Sequence, residues 1–309
     1  MEITKEQFMN ILEAQKRTVK KLNTAAAILT VASLVGLAAF IVSAAAYLIS
    51  DSSAAQTAFL TSLAVSVIMY LILSLICIGA AKKYDHVSPS GNISALTKKL
   101  RSEYCTNDFM SWANGLLRTE KNILNRGYIR NALIDSNFFR GEFDIAFRTN
   151  IPDNELFQKD RAYELYYLKN VMLYQYSAGG DLGAAENAYR AFNELYSSCI
   201  DRSILTNVLL AVDCEVLYSM MHGDWERAIY YIDILAAGYE DQLKKGLYGI
   251  TAEYAANMTY KAEALLRLGH ADEARALMSQ WAEYLRPFPY RYNKAMQLLN
   301  AAEQGGISQ

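Results

Sequence analysis

Charge is absent from two long runs near the start of this 309-residue chain. Leu22 to Ser50 and Ser52 to Ala81 contain no Lys, Arg, Asp, Glu or His, and only Asp51 separates them. About 20 mostly apolar residues suffice to cross a bilayer core, so each run predicts a transmembrane helix. The same absence removes the side chains from which ion and proton paths are built, which argues against a channel or transporter within the spans. Proline is also scarce: beyond Ser94 only Pro152, Pro287 and Pro289 occur. Apolar residues recur there at helical rather than alternating spacing, which predicts an almost wholly α-helical body. The three histidines, His86, His222 and His270, include no i, i+4 pair and have no cysteine or carboxylate company of the kind a metal needs, so no metal is expected. Cys77, Cys105, Cys199 and Cys214 lack Cys-x-x-Cys spacing and read as reduced thiols. A formal charge of −2 provides no basic footprint for nucleic acid. Gly179-Gly180 opens a helix but lacks the Lys-Ser/Thr of a phosphate loop, and no cofactor is expected.

Basic residues are present at both flanks of the apolar pair. Lys16, Arg17, Lys20 and Lys21 precede it, Lys82 and Lys83 follow it, and the turn between the runs has none. The bias of basic residues toward the cytoplasm predicts a two-span hairpin with both termini inside, by default in a bacterial plasma membrane. A cleaved signal peptide, suggested by Ala44-Ala45-Ala46, has a shorter apolar core and no second span behind it. A buried soluble helical pair seldom runs so long without charge. Ala32-x-x-x-Gly36 and Ala39-x-x-x-Ser43 place small residues where a helix can approach closely; the second span is the nearer partner and a second copy the other. Residues 1–21 read as an amphipathic juxtamembrane helix, opened by a Thr4/Gln7 capping box. It lies in the headgroup layer, the placement its basic end favours, or packs on the body. The remaining divisions are a hairpin over 22–83, a linker over 84–94 rich in turn formers, a helical domain over 95–303 and a flexible tail over 304–309.

Four turns in the body share one pattern. Gly141, Gly180, Gly223 and Gly269 are each followed five residues later by Ala146, Ala185, Ala228 and Ala274. Glycine ends a helix in a left-handed conformation, an acidic residue suits the next helix's N-terminus, and alanine allows two helices to cross closely. The pattern resembles the tetratricopeptide repeat family, whose helical hairpins stack into a superhelix. Apolar positions of the second helices agree, at Phe143, Leu182 and Trp225 and at Phe192, Leu235 and Trp281. The spacings of 39, 43 and 46 residues exceed the family's usual length of about 34. The resemblance implies an α-solenoid over about residues 125–285; a non-repetitive helical bundle is the alternative.

In such a solenoid the first helix of each hairpin lines the inner face. That alignment puts Tyr128, Asn131, Asp135, Tyr167, Asn170, Tyr174, Asp213, Leu217 and Met220 there. Tyrosine offers large contact area at low entropic cost and asparagine can hydrogen-bond an extended backbone, so these residues form the candidate groove for a protein or peptide partner. The opposing reading makes the tyrosines inter-helix core. Asp213-Cys214-Glu215 brings two carboxylates and a thiol together in sequence, but successive helical residues diverge by about 100° and do not converge on one substrate. No catalytic constellation is expected. The function implied is a membrane-anchored adaptor or scaffold; the alternative is an accessory subunit of a transport or secretion complex assembled through the hairpin.

Overall fold

The computed structural model describes residues 3–50, 53–85, 90–103, 105–244, 246 and 248–304. Asp51 and Ser52 of the inter-span turn, residues 86–89 of the linker and residues 305–309 of the tail lie outside the described residues. Among the described residues every regular element is helical and there is no strand. The chain divides into two compact units, one of residues 10–89 and one joining residues 1–9 to 90–309.

The first unit is built on α1 (Lys5–Ser50) and α2 (Ser53–Asp85), both long and apolar enough to cross a membrane. Small residues let them meet as expected. A side chain on Gly36 would come within 2.9 Å of Ser66 Oγ, Ser43 and Ser62 share a hydrogen bond of 3.0 Å, and the Phe40 and Phe59 rings lie 4.9 Å apart. α2 runs to Asp85 and the next helix begins at Gly91, so helix enters both ends of the segment read as linker.

The second unit starts with the N-terminal residues, and these take the second of the two placements left open for them. The capping box forms, with Thr4 N donating to Gln7 Oε1 and Gln7 N to Thr4 Oγ1. Residues 3–9 pack on the helical body: Ile3 and Phe8 are buried, and Lys5 N donates to Tyr230 Oη. Phe8 Cζ sits 3.3 Å from where a Cβ on Gly238 would stand. Burial of two large apolar side chains outweighs a surface position in the headgroups.

The body then runs through α3 (Gly91–Ser102), α4 (Asn107–Thr119), α5 (Ile123–Arg140), α6 (Phe143–Thr149), α7 (Asn154–Lys159), α8 (Ala162–Ala178), α9 (Leu182–Cys199), α10 (Leu205–His222), α11 (Trp225–Leu243), α12 (Tyr248–Arg267), α13 (Ala271–Trp281), a 3₁₀ turn over Ala282–Leu285, and α14 (Pro289–Glu303). Four hairpins stand out: α5/α6, α8/α9, α10/α11 and α12/α13. Each turns at a glycine with positive φ, Gly141, Gly179, Gly223 or Gly269. In each the next residue's N–H donates to the carbonyl five residues back, at 2.9 Å in all four: Glu142 to Asn137, Gly180 to Gln175, Asp224 to Ser219 and His270 to Leu265. This is the left-handed cap that satisfies carbonyls left over at a helix end. Ala146, Ala185, Ala228 and Ala274 are all fully buried where the helices cross.

Two details differ from the sequence reading. The left-handed residue of the second turn is Gly179, not Gly180, so this turn carries one extra residue before α9, whose N-cap Asp181 accepts from Gly183 N. The row of hairpins also does not open into a superhelix. α14 packs against α5, and α3 packs against both α5 and α12. Phe139 meets Phe288 edge to face at 4.8 Å, Phe143 meets Tyr290 at 5.1 Å, and Arg291 Nε donates to Phe139 O at 3.2 Å. The end of the array is joined to its beginning.

Gly141 and Gly269 test this closure. Both are left-handed, at φ 81° and 82°, but a Cβ on Gly269 meets nothing within 4 Å, whereas one on Gly141 would lie 2.5 Å from Tyr290 Cγ. Gly269→Ala should cost about 1–2 kcal/mol, the left-handed penalty alone. Gly141→Ala should cost a further 1–3 kcal/mol or so, from overpacking. Denaturant unfolding followed by tryptophan fluorescence checks this, and Tyr290→Ala should shrink the difference between the two substitutions.

Candidate functional site

The joined array surrounds a half-open chamber of about 440 Å³. Its walls come from α3, the first helices of all four hairpins, α11 and α14. Spacings of three and four residues select one stripe on each helix. On α5 the stripe contributes Tyr128, Ala132 and Asp135; on α8, Tyr166, Lys169 and Leu173; on α10, Leu210, Asp213 and Leu217; on α12, Glu253, Asn257 and Tyr260. Arg101 of α3, Tyr239 of α11 and Arg291 of α14 add further polar lining, with Thr97, Ser136 and Thr206.

Three carboxyls and three cations line the chamber, Asp135, Asp213 and Glu253 with Arg101, Lys169 and Arg291. Lys169 Nζ donates to Asp135 Oδ1 at 3.0 Å and lies 5.9 Å from the centre of the Tyr166 ring. Burial works against its charge, but Asp135 and Asp213 outweigh that and hold the ammonium above the usual lysine range. Burial raises the Asp213 carboxyl to about 6; Lys169 opposes the shift and Asp135 adds to it. Burial raises Glu253 to about 7, against a hydrogen bond from Tyr239 and with the neighbouring charges of Asp213 and Asp135. Arg291 is committed elsewhere, with Nε on Phe139 O and Nη1 3.3 Å from Tyr260 Oη.

The sequence candidates separate into two groups. Tyr128, Asp135, Asp213 and Leu217 line the chamber. Tyr167, Asn170, Tyr174 and Met220 do not. Tyr167 packs 5.9 Å from Phe157 and its carbonyl accepts from Asn150, while Asn170 is wholly buried with Nδ2 3.4 Å from Asn150 Oδ1. Tyr174 stacks on Phe147 at 4.2 Å, and Met220 is buried between helices. Asn131 is half-buried and lies outside the lining. Of the Tyr and Asn pairs that the repeat alignment puts on the inner face, Tyr128 with Asn131 and Tyr167 with Asn170, Tyr128 alone lines the chamber. The extra residue in the second turn explains why. Counted back from the true cap Gly179, the positions that hold Tyr128 and Asn131 in the first hairpin fall on Tyr166 and Lys169, both lining residues missed in the sequence. Glu253, Asn257 and Tyr239 were also missed; the first two share a helix face with Tyr260, the signal that would have found them.

Asp213-Cys214-Glu215 diverges as helical geometry requires. Asp213 faces the chamber, and Cys214 is buried with its thiol pushed up by burial. Glu215 points between α9 and α11, where Tyr189 Oη and Arg227 Nη2 each donate to it at 2.7 Å. Burial also pushes the Cys105 thiol up, to about 12, so neither buried thiol is a nucleophile near neutral pH. Among the described residues no group of His, Cys, Asp and Glu is placed to hold a metal ion. No family model, curated protein or solved structure matches the chain.

The chamber carboxyls tie stability to pH. Asp213 and Glu253 bind protons more tightly in the folded chain than in the unfolded one, so stability should fall as pH rises from about 4 through 7. Asp213→Asn removes part of that penalty. It should be neutral at pH 4 and stabilise by on the order of 2 kcal/mol at pH 8, read from thermal unfolding at both pH values.

Proposed function

We propose that the chain is a membrane-anchored adaptor whose α1/α2 hairpin fixes a helical recognition domain to the bilayer and whose inner chamber is the recognition surface. The observation that carries this reading is the convergence of one stripe from each of four hairpins on a single cavity. Its volume lies in the range of pockets that enclose a small molecule or one protruding side chain, well short of an extended peptide groove. Four identically capped turns with buried alanines support a tetratricopeptide-like origin for the domain, with closure of the array replacing the open superhelix. Tethering acts by raising the partner's effective concentration near the membrane and makes or breaks no bond. The basic residues before α1 and at the end of α2 support cytoplasmic termini.

Two measurements test the reading. Benzoylphenylalanine in place of Tyr128, a chamber residue, should give one ultraviolet-dependent adduct in native membranes that is lost on adding Asp213→Asn; at exposed Tyr284 it should not. Equal adduct patterns at both positions, or none at either, would reject the chamber as the recognition surface. For topology, Cys199 is an exposed thiol while Cys105 and Cys214 are buried. A membrane-impermeant maleimide should leave intact cells unlabelled at Cys199 and label it in inverted vesicles; the reverse pattern would place the body outside.

A further inference from the structure

Positive charge is gathered at one end of the first unit. Residues 10–89 hold six basic side chains and three acidic ones, in a chain whose formal charge is −2. The six, Lys16, Arg17, Lys20, Lys21, Lys82 and Lys83, all flank the uncharged runs at the end of the hairpin away from its turn. α1 passes through this region without a break, and an open groove runs along one of its faces. Lys16, Lys20, Asn23, Thr24 and Ala27 line it in that order, and all five are exposed. Lys16 and Lys20 stand one turn apart on the same face, so two ammonium groups can reach one anion. Lys16 is shared with Glu13 at 3.0 Å, an exposed pair of the kind that holds its partners weakly. Among the described residues Arg17, Lys20 and Lys21 form no ion pair. The order of side chains along the groove is that of a bilayer boundary. From Lys20 to Ala27 the helix rises about 10 Å and passes from ammonium through amide to methyl. A phospholipid makes the same passage from phosphate through ester carbonyls to acyl chain. Thr24 returns its hydroxyl to Lys20 O at 2.9 Å, which leaves the Asn23 amide to face the ester level. A soluble partner does not follow the groove below Thr24, where the uncharged run has begun, whereas an acyl chain does.

Resting on the reading of α1 and α2 as a membrane hairpin, we propose that this groove holds one anionic phospholipid, its phosphate between Lys16 and Lys20, its ester region at Asn23 and an acyl chain running past Ala27. A zwitterionic headgroup brings its own cation up to the two lysines and loses much of the attraction, so the groove selects a headgroup of net negative charge. The anchor thereby prefers membrane rich in anionic lipid, a selectivity separate from whatever the chamber recognises.

The test is native mass spectrometry of the full-length protein in detergent micelles, titrated with phosphatidylglycerol or with phosphatidylcholine. The expected result is one phosphatidylglycerol retained per chain, with an affinity at least about tenfold above that for phosphatidylcholine. Lys16→Gln with Lys20→Gln should weaken that retention by about tenfold or more. Lys82→Gln with Lys83→Gln removes the same charge from the same end of the hairpin and should weaken it by less than about twofold. Each double variant keeps four of the six basic residues beside the spans, and with them its orientation. Equal loss in the two variants would mean a diffuse positive field and no site, and overturns the proposal, as does equal retention of the two lipids. Glycerol 3-phosphate, which has the phosphate without the chains, should not displace the lipid; displacement at equal concentration would give the groove to a soluble anion and also overturn it. So would a co-purifying protein, in place of lipid, that Lys16→Gln with Lys20→Gln releases. Release of the unmodified protein from native membranes by alkaline carbonate would bring down the anchor reading itself. If the protein resists carbonate and retains both lipids equally, the lipid site alone falls.

Discussion

The contact between α14 and α5 governs the character of the helical unit. Without it, four hairpins in a row present a concave strip open to solvent. With it, the strip becomes the wall of a chamber. The joint is made by a buried arginine, which costs free energy unless its charge is accommodated. Arg291 has the Phe139 carbonyl and the Tyr260 hydroxyl as acceptors, and its guanidinium lies 5.1 Å from the Phe139 ring centre and 5.7 and 5.6 Å from those of Tyr260 and Tyr290. Aromatic faces suit a planar, weakly hydrated cation, and lysine would not reproduce this geometry. Gly141 makes room for Tyr290 at the same joint, so one residue both ends α5 and admits the returning helix.

Much of this was legible in the sequence because it rests on local rules. Two uncharged runs mark the two long apolar helices, the Gly and Ala pairs mark four hairpin turns, and the capping box marks the start of α1. The positions that failed are those where local rules are degenerate. At Gly179-Gly180 either glycine can take the left-handed conformation, and the choice displaces the whole face of α8 by one residue, about 100° of rotation. Tyr167 and Asn170 then exchange the chamber for the inter-helix core, and Tyr166 and Lys169 take their places. Closure was not legible because it depends on contacts more than 100 residues apart, such as Arg291 with Phe139, that leave no periodic trace. The placement of residues 3–9 stayed open for a related reason. The basic end that follows them is a local signal for lipid, whereas the site that takes Phe8, beside the side-chain-free Gly238, is assembled only when α11 forms.

Buried polar residues in this domain serve two distinct ends. Glu215 is fully buried yet satisfied, with Tyr189 and Arg227 donating to it from the helices on either side. It fixes how α9, α10 and α11 meet, and its worth is orientation more than stability. The chamber carboxyls are different. Among the described residues Asp213 has the charge of Lys169 near it and no hydrogen-bond donor, and Glu253 has one tyrosine. A helical ring required only to be stable would fill that space with leucine and phenylalanine, as it does at Phe138, Phe192 and Ile232, all nearly or fully inaccessible. Instead the chain keeps about 440 Å³ unfilled and places carboxyls on three of its walls.

That arrangement is costly in the empty state at neutral pH, because desolvation and mutual repulsion both oppose ionisation. Lys169 relieves part of that cost, since its charge opposes the shift at both Asp213 and Glu253. The remainder of the fold, from the glycine caps to the arginine joint, supplies the rigidity that holds these groups on their separate helices.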